Sequence, residues 1–125
     1  MITQIVKNKW GTLPAESTES FTGRNVLVTG ATSGLGYAAA AKFAKLGASE
    51  IIITARDEVK GETTKSKLEA DVDQPCQFEV WQLDMNSYDS IVKFSQRVVT
   101  ELDRLDVAIL NAGIFNAAYR SSTYG

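Results

Sequence analysis

The residues best placed to do chemistry form one short stretch of this 125-residue chain, Thr29-Gly30-Ala31-Thr32-Ser33-Gly34-Leu35-Gly36. An apolar run over 25–28 leads into it, and a helix-periodic run over 35–46 leads out. A strand, a tight glycine turn and a helix opening set backbone N–H groups and a positive helix end against an anion such as a dinucleotide pyrophosphate. In that arrangement Gly30 lets the chain turn sharply and Gly34 lets the backbone approach the phosphates. Gly36 lets helix and strand pack closely. Thr32 and Ser33 add hydroxyl donors. The plain alternative is a tight surface loop, which the position between strand and helix disfavours.

The next informative residues lie roughly twenty positions downstream, where a dinucleotide site that prefers NAD places an Asp or Glu on the ribose hydroxyls. Here the residues are Thr54-Ala55-Arg56-Asp57. Ala55 brings no carboxylate to repel a 2′-phosphate, and Arg56 supplies a planar donor fork suited to one. NADP is therefore the expected cofactor, in preference to NAD. Lys60 reads either as a second positive charge beside Arg56 or as a solvated helix residue, and Asp57 reads as a helix-start residue. With no histidine and a single cysteine, Cys76, Ser-His-Asp and Cys-His machinery and ordinary zinc sites are excluded. Any proton transfer falls to Tyr, Lys, Asp or Glu.

Alternating elements must hold these residues in place. Strands are expected over 25–29, 50–54, 78–83 and 106–110. Helices are expected over 35–46, 59–70 and from a cap at Asn86 to Leu102. Leu35, Ala39, Phe43 and Leu46 mark one face of the first helix, with Gly47 as its stop. Val59, Thr63 and Leu68 mark a thin stripe on the second. Strict alternation of strand and helix predicts an α/β, Rossmann-type doubly wound parallel sheet in the order 3-2-1-4. Residues 1–22 read as a leader lacking any sustained period, and 23–125 as a partial NAD(P)-binding domain.

A hydrophobic content of 44% and a net charge of −2 are ordinary for a globular chain and give no reason to expect nucleic acid or an anionic membrane as partner. No apolar run approaches the roughly 20 residues that span a bilayer. One cysteine permits no intrachain disulfide, so a reducing, cytoplasmic setting is expected.

The spacing T-G-x-x-x-G-x-G resembles that of the short-chain dehydrogenase/reductases, and the resemblance extends over residues 22–118. Family members that use NADP share the Ala55-Arg56 pattern, and some read Arg-x-x-x-Lys, as Arg56 and Lys60 do. Ser33 stands where many of them carry a basic residue. Leu83-Asp84-Met85 resembles the segment whose Asp holds the adenine amino group and whose next backbone N–H faces the ring. Asn111-Ala112-Gly113 resembles the family's N-N-A-G after the fourth strand, with Leu110 replacing the first Asn. There the segment lines the adenosine ribose and steadies the sheet. Phe21-Thr22-Gly23-Arg24 and Ala112-Gly113-Ile114 look most like fungal members linked to secondary metabolism.

The resemblance also implies a catalytic Tyr with a Lys four residues later, assisted by a Ser and an Asn. A lone phenol, with a pKa of about 10, is a poor acid–base group at neutral pH. Tyr37 and Lys42 are five apart, as are Tyr88 and Lys93, and neither Tyr119 nor Tyr124 is followed by a lysine. No catalytic residue is assigned. The sequence thus reads as the cofactor half of an NADP-dependent oxidoreductase, truncated after its fourth strand. A non-catalytic NADP-binding module and an inert remnant are the alternatives. Val107, Ile109 and Leu110 would form a bare apolar edge through which the chain associates.

Overall fold

The computed structural model describes residues 19–112. Most of the expected leader and the tail from Gly113 onward lie outside that range. Four strands and three helices alternate within it: β1 (Asn25–Thr29), α1 (Gly34–Lys45), β2 (Glu50–Ala55), α2 (Glu58–Asp71), β3 (Gln77–Gln82), α3 (Tyr88–Glu101) and β4 (Val107–Leu110). The strands form one sheet in the order β3-β2-β1-β4, all parallel. The register sets Val28 beside both Ile53 and Ile109. This is the Rossmann-like order predicted from the alternation.

Strand residues alternate between two apolar layers, as a parallel sheet covered on both faces requires. Val26, Val28, Ile51, Ile53 and Phe78 pack with Ala40, Ala44 and Leu68 on the α1–α2 side. Leu27, Ile52 and Trp81 pack with Phe94, Val98, Leu102 and Leu105 on the other. Trp81 anchors α3: the Phe94 ring meets it edge-on at 5.9 Å, and the Arg97 guanidinium lies 4.1 Å above it. Its indole N–H donates to Glu79 Oε2 at 2.8 Å, so burial leaves the polar edge satisfied.

The helix faces agree with the expected ones at Leu68, which is buried, and Phe43, which packs against the core, and differ elsewhere. Leu35 is 81% exposed and Val59 74% exposed; the buried positions are Gly36, Ala40 and Ala44 on α1, and Gly61, Thr64 and Leu68 on α2. Small residues face the sheet because the helices sit close to it, and size, which hydropathy rewards, works against that contact. The cap of α3 is also one residue later than predicted. Ser87, not Asn86, takes the N-cap, its hydroxyl accepting from the Ser90 N–H at 3.2 Å. Gly47 ends α1 at φ +97°, as the C-terminal glycine predicts.

At the sheet's edge the apolar residues of β4 divide by face. Val107 and Ile109 are half-buried against the α1-side core, whereas Leu110 is 81% exposed. The expectation of three bare residues therefore holds for Leu110 alone. The start of β4 is pinned to β1 by Asp106, whose carboxylate accepts from the Asn25 N–H at 2.8 Å and from Arg104 Nε at 2.7 Å. The Asn25 N–H first, then Arg104, holds this carboxyl below its ordinary value of 3.8. A group lowered on folding contributes stability above its unfolded pKa and loses it as pH falls through the folded one. Thermal stability should therefore drop with an acid limb beginning near pH 4 and continuing below it. Asp106→Asn should make that limb shallower in melting curves taken between pH 5 and 2; an unchanged slope would remove Asp106 as a contributor.

Candidate cofactor site

Four strand ends converge on one cleft of about 500 Å³. The turn after β1 contributes Gly30 and Thr32; the end of β2 and the start of α2 contribute Thr54, Ala55, Arg56, Asp57 and Lys60. Leu83, Asp84 and Met85 enter from the end of β3, and Ala112 from beyond β4. Seven residues singled out by sequence thus share one wall system: Gly30, Thr32, Arg56, Lys60, Asp84, Met85 and Ala112. Ser33, Gly34, Leu35, Gly36 and Asn111 do not line it, and Gly113 lies outside the described residues.

The glycine turn has the backbone that its sequence predicts. Gly30 and Gly34 have φ values of +68° and +60°, a region that disfavours any side chain. A Cβ on Gly36 would lie 2.3 Å from the Gly30 carbonyl oxygen, so helix and strand touch through backbone alone. A Cβ on Gly34 would meet nothing within 4 Å, leaving open space over the mouth of α1. Among the described residues, neither the cap nor the first turn of α1 puts an anion in that mouth. Ser33 makes no side-chain cap bond and the first turn carries no acid, whereas Asp57 caps α2 and Ser87 caps α3. An uncapped helix start with space above it suits an external phosphate.

Each neighbouring wall is held by specific bonds. The Thr29 hydroxyl accepts from the N–H groups of Asn111 and Ala112 at 3.0 and 3.1 Å. Asn111 Nδ2 donates to the Gly30 carbonyl at 3.2 Å, so Asn111 serves the backbone rather than the cleft. Asp57 spends Oδ1 on the Val59 N–H at 2.8 Å, which fits its reading as a helix-start residue. Asp84 Oδ1 accepts from the Asn86 N–H at 2.9 Å, and its own N–H donates to Ser90 Oγ. Asp84 is therefore both a turn residue and a cleft residue, with Oδ2 directed to no protein donor among the described residues. Arg56 and Lys60 are in no ion pair among the described residues, and both line the cleft.

Neither Tyr37 nor Cys76 lines the cleft. The Tyr37 phenol donates to the Asp71 carboxylate, which ties α1 to α2. That hydrogen bond raises its pKa to about 12, far from a useful acid at neutral pH. Burial, then the Glu50 charge, pushes the Cys76 thiol up to about 11, which favours the protonated form over the reactive thiolate. No group of three or more Asp, Glu, Cys or His residues suited to a metal occurs among the described residues. No helix among them is long and apolar enough to cross a membrane.

Sequence reasoning overlooked Thr54. It is 2% exposed and follows three fully buried isoleucines in β2, and its hydroxyl accepts from the Gly30 N–H at 3.3 Å. A hydroxyl directly after three isoleucines, near the end of the strand, was the available signal.

A parallel 3-2-1-4 sheet with a ligand-sized cleft over its strand ends, at the reversal between β1 and β4, places the fold in the Rossmann-like class. The family model for short chain dehydrogenases matches residues 24–123, and the chain belongs to that family. A short chain dehydrogenase/reductase of Cryptosporiopsis is 44% identical over 108 residues, covering 84% of this chain and 33% of the relative. One of Aspergillus flavipes is 42% identical, covering 90% and 33%. The chain thus spans about a third of the length of these fungal relatives. Among solved structures, a metagenomic short-chain oxidoreductase in complex with NADP is 34% identical, with a TM-score of 0.63 over 78% of this chain and 42% of that one. The Pseudomonas aeruginosa RhlG/NADP complex is 28% identical, with a TM-score of 0.67 over 80% of this chain and 38% of that one.

Proposed function

We propose that the chain holds NADP(H) in this cleft, as the cofactor part of an oxidoreductase that exchanges hydride with an alcohol or carbonyl substrate. The observation that carries the reading is the meeting of Gly30 and Thr32 of the glycine turn with Arg56 and Lys60 in one cleft, next to a helix start that has no side-chain cap. In this reading the amides over Ser33, Gly34, Leu35 and Gly36, with Thr32, take the pyrophosphate. Arg56 and Lys60 take the 2′-phosphate, with charge-assisted bonds that a ribose hydroxyl alone does not offer. Asp84 and the Met85 N–H take the adenine edge. Ala112 and Gly113 flank the adenosine ribose, and Asn111 keeps the Gly30 carbonyl in place. When bound, the nicotinamide supplies or accepts the hydride.

The experiment is a titration of the purified protein with NADPH, followed by reduced-cofactor fluorescence. Saturable binding, tighter for NADPH than for NADH, is expected; absence of binding would sink the reading and favour an inert chain. A second reading is a binding module without turnover: the Tyr37 phenol is tied to Asp71 and lies outside the cleft. Turnover of an alcohol or ketone by this chain alone would refute that second reading.

We also propose association through the β4 edge, where Leu110 is 81% exposed and one side of the strand is unpaired within the described sheet. Leu110→Lys should shift the protein toward monomer in sedimentation velocity, since a charge on an edge strand opposes pairing. An unchanged distribution would exclude this edge. A single cysteine is consistent with a cytoplasmic setting.

A further inference from the structure

We propose that Thr54 is a positioning residue of the cofactor site, clamping the Gly30 N–H and presenting its hydroxyl proton to the bound dinucleotide. The proposal rests on the NADP(H) reading of the cleft. The first peptide of the glycine turn is gripped on both sides. Asn111 Nδ2 donates to the Gly30 carbonyl at 3.2 Å, and the Gly30 N–H donates to Thr54 Oγ1 at 3.3 Å. The two grips come from opposite sides of β1, since β4 and β2 are its two neighbours. Gly30 sits at φ +68°, a conformation that glycine tolerates but does not require. Without both grips, the residue that aims the turn would be free to sample others.

Thr54 also has a proton to spare. A hydroxyl has one donor and two acceptor sites, and here Gly30 uses an acceptor. Among the described residues no protein acceptor takes the proton. Thr54 is 2% exposed yet lines the cleft, which sets its hydroxyl within the space a ligand oxygen would fill. A buried hydroxyl whose proton has no partner is costly, and a nucleotide ribose or phosphate oxygen would remove that cost on binding. The effect would be common to NADPH and NADH, because the glycine turn serves the part that both cofactors share.

Thr54→Val keeps the shape and removes the hydroxyl; Thr54→Ser keeps the hydroxyl. Thr54→Val is expected to raise the Kd for NADPH and NADH alike by about tenfold, the scale of one lost hydrogen bond. Its melting temperature without cofactor should fall by a few degrees, since the Gly30 N–H loses its acceptor, and Thr54→Ser should bind within about twofold of the parent. The proposal is overturned if Thr54→Val binds as the parent does, if serine fails to rescue, or if the loss is confined to NADPH. Should Thr54→Val not fold, amide hydrogen exchange of the parent decides: a protected Gly30 amide supports the clamp, and exchange at the free-chain rate removes it. A parent protein that binds neither dinucleotide, while its Gly30 amide is protected, would instead locate the failure in the NADP(H) reading and end the ligand role of Thr54 with it.

Discussion

Arg56→Ala is expected to weaken NADPH binding by about ten- to a hundredfold and to leave NADH binding within about twofold, as the loss of a charge-assisted contact to one phosphate predicts. Arg56 stands at the start of the β2–α2 turn and lines the cleft, as Lys60 does one helical turn later. Its backbone carbonyl is held by Gln82 Nε2 at 3.4 Å, so the turn that carries it is tied to β3. The preceding residue, Ala55, is buried and brings no carboxylate, and Asp57 on the other side spends Oδ1 on the Val59 N–H. Lys60→Ala should show the same selectivity with a smaller loss, because an ammonium on a flexible stem makes a point-charge contact rather than a bidentate one. Equal losses for NADPH and NADH would mean that these cations do not read the 2′-phosphate. Binding measured by fluorescence at two salt concentrations adds a check, since an exposed charge contact weakens as salt rises.

The second large effect concerns stability. Gly36→Ala should cost about 3 kcal/mol or more, at or above the upper end of the range for overpacked interiors. Helix propensity alone predicts the opposite sign, a gain of about 1 kcal/mol from Gly to Ala in a helix interior. The collision decides. A Cβ at Gly36 would lie 2.3 Å from the Gly30 oxygen and 2.8 Å from Asn111 Nδ2, and those two atoms are already bonded to each other. Neither can retreat without opening the contact that aims the glycine turn. Gly61→Ala is the informative control. Its Cβ would meet Val80 Cγ1 at 2.4 Å, a side-chain atom on a half-buried residue that a rotamer change can move. The expected order of loss in urea midpoints is Gly36 well above Gly61, with cofactor binding abolished only for Gly36. A Gly36→Ala protein within about 1 kcal/mol of the parent would mean that helix and strand do not approach as closely as described.

Much of this architecture is legible in local pattern. Buried parallel strands read as unbroken apolar runs, and Ile51-Ile52-Ile53 does so plainly; all three are fully buried. The glycines announce the turn because backbone conformation is a local property: positive φ at Gly30 and Gly34, and the stop at Gly47, each follow from the absence of a Cβ. The order of the sheet follows from alternation and the handedness of crossovers. What was misread lies where neighbours set the answer. Leu35 and Val59 have the hydropathy of core residues, yet they project away from the sheet while glycine and alanine face it. Asn86 and Ser87 are both good caps, and the place where the chain leaves β3 chose between them.

The sequence by itself determined that a strand, a glycine turn and a helix are followed by alternating elements, and that Arg56 and Lys60 stand one helical turn apart after the second strand. Only the tertiary structure decided which of those residues share a cleft, and that Asn111 and Thr54 serve it by holding the Gly30 peptide from either side. The physical reason is one of range. Backbone conformation and hydrophobic period are fixed over a few residues, whereas a hydrogen bond between positions 24 or 81 residues apart exists only once the strands are in register.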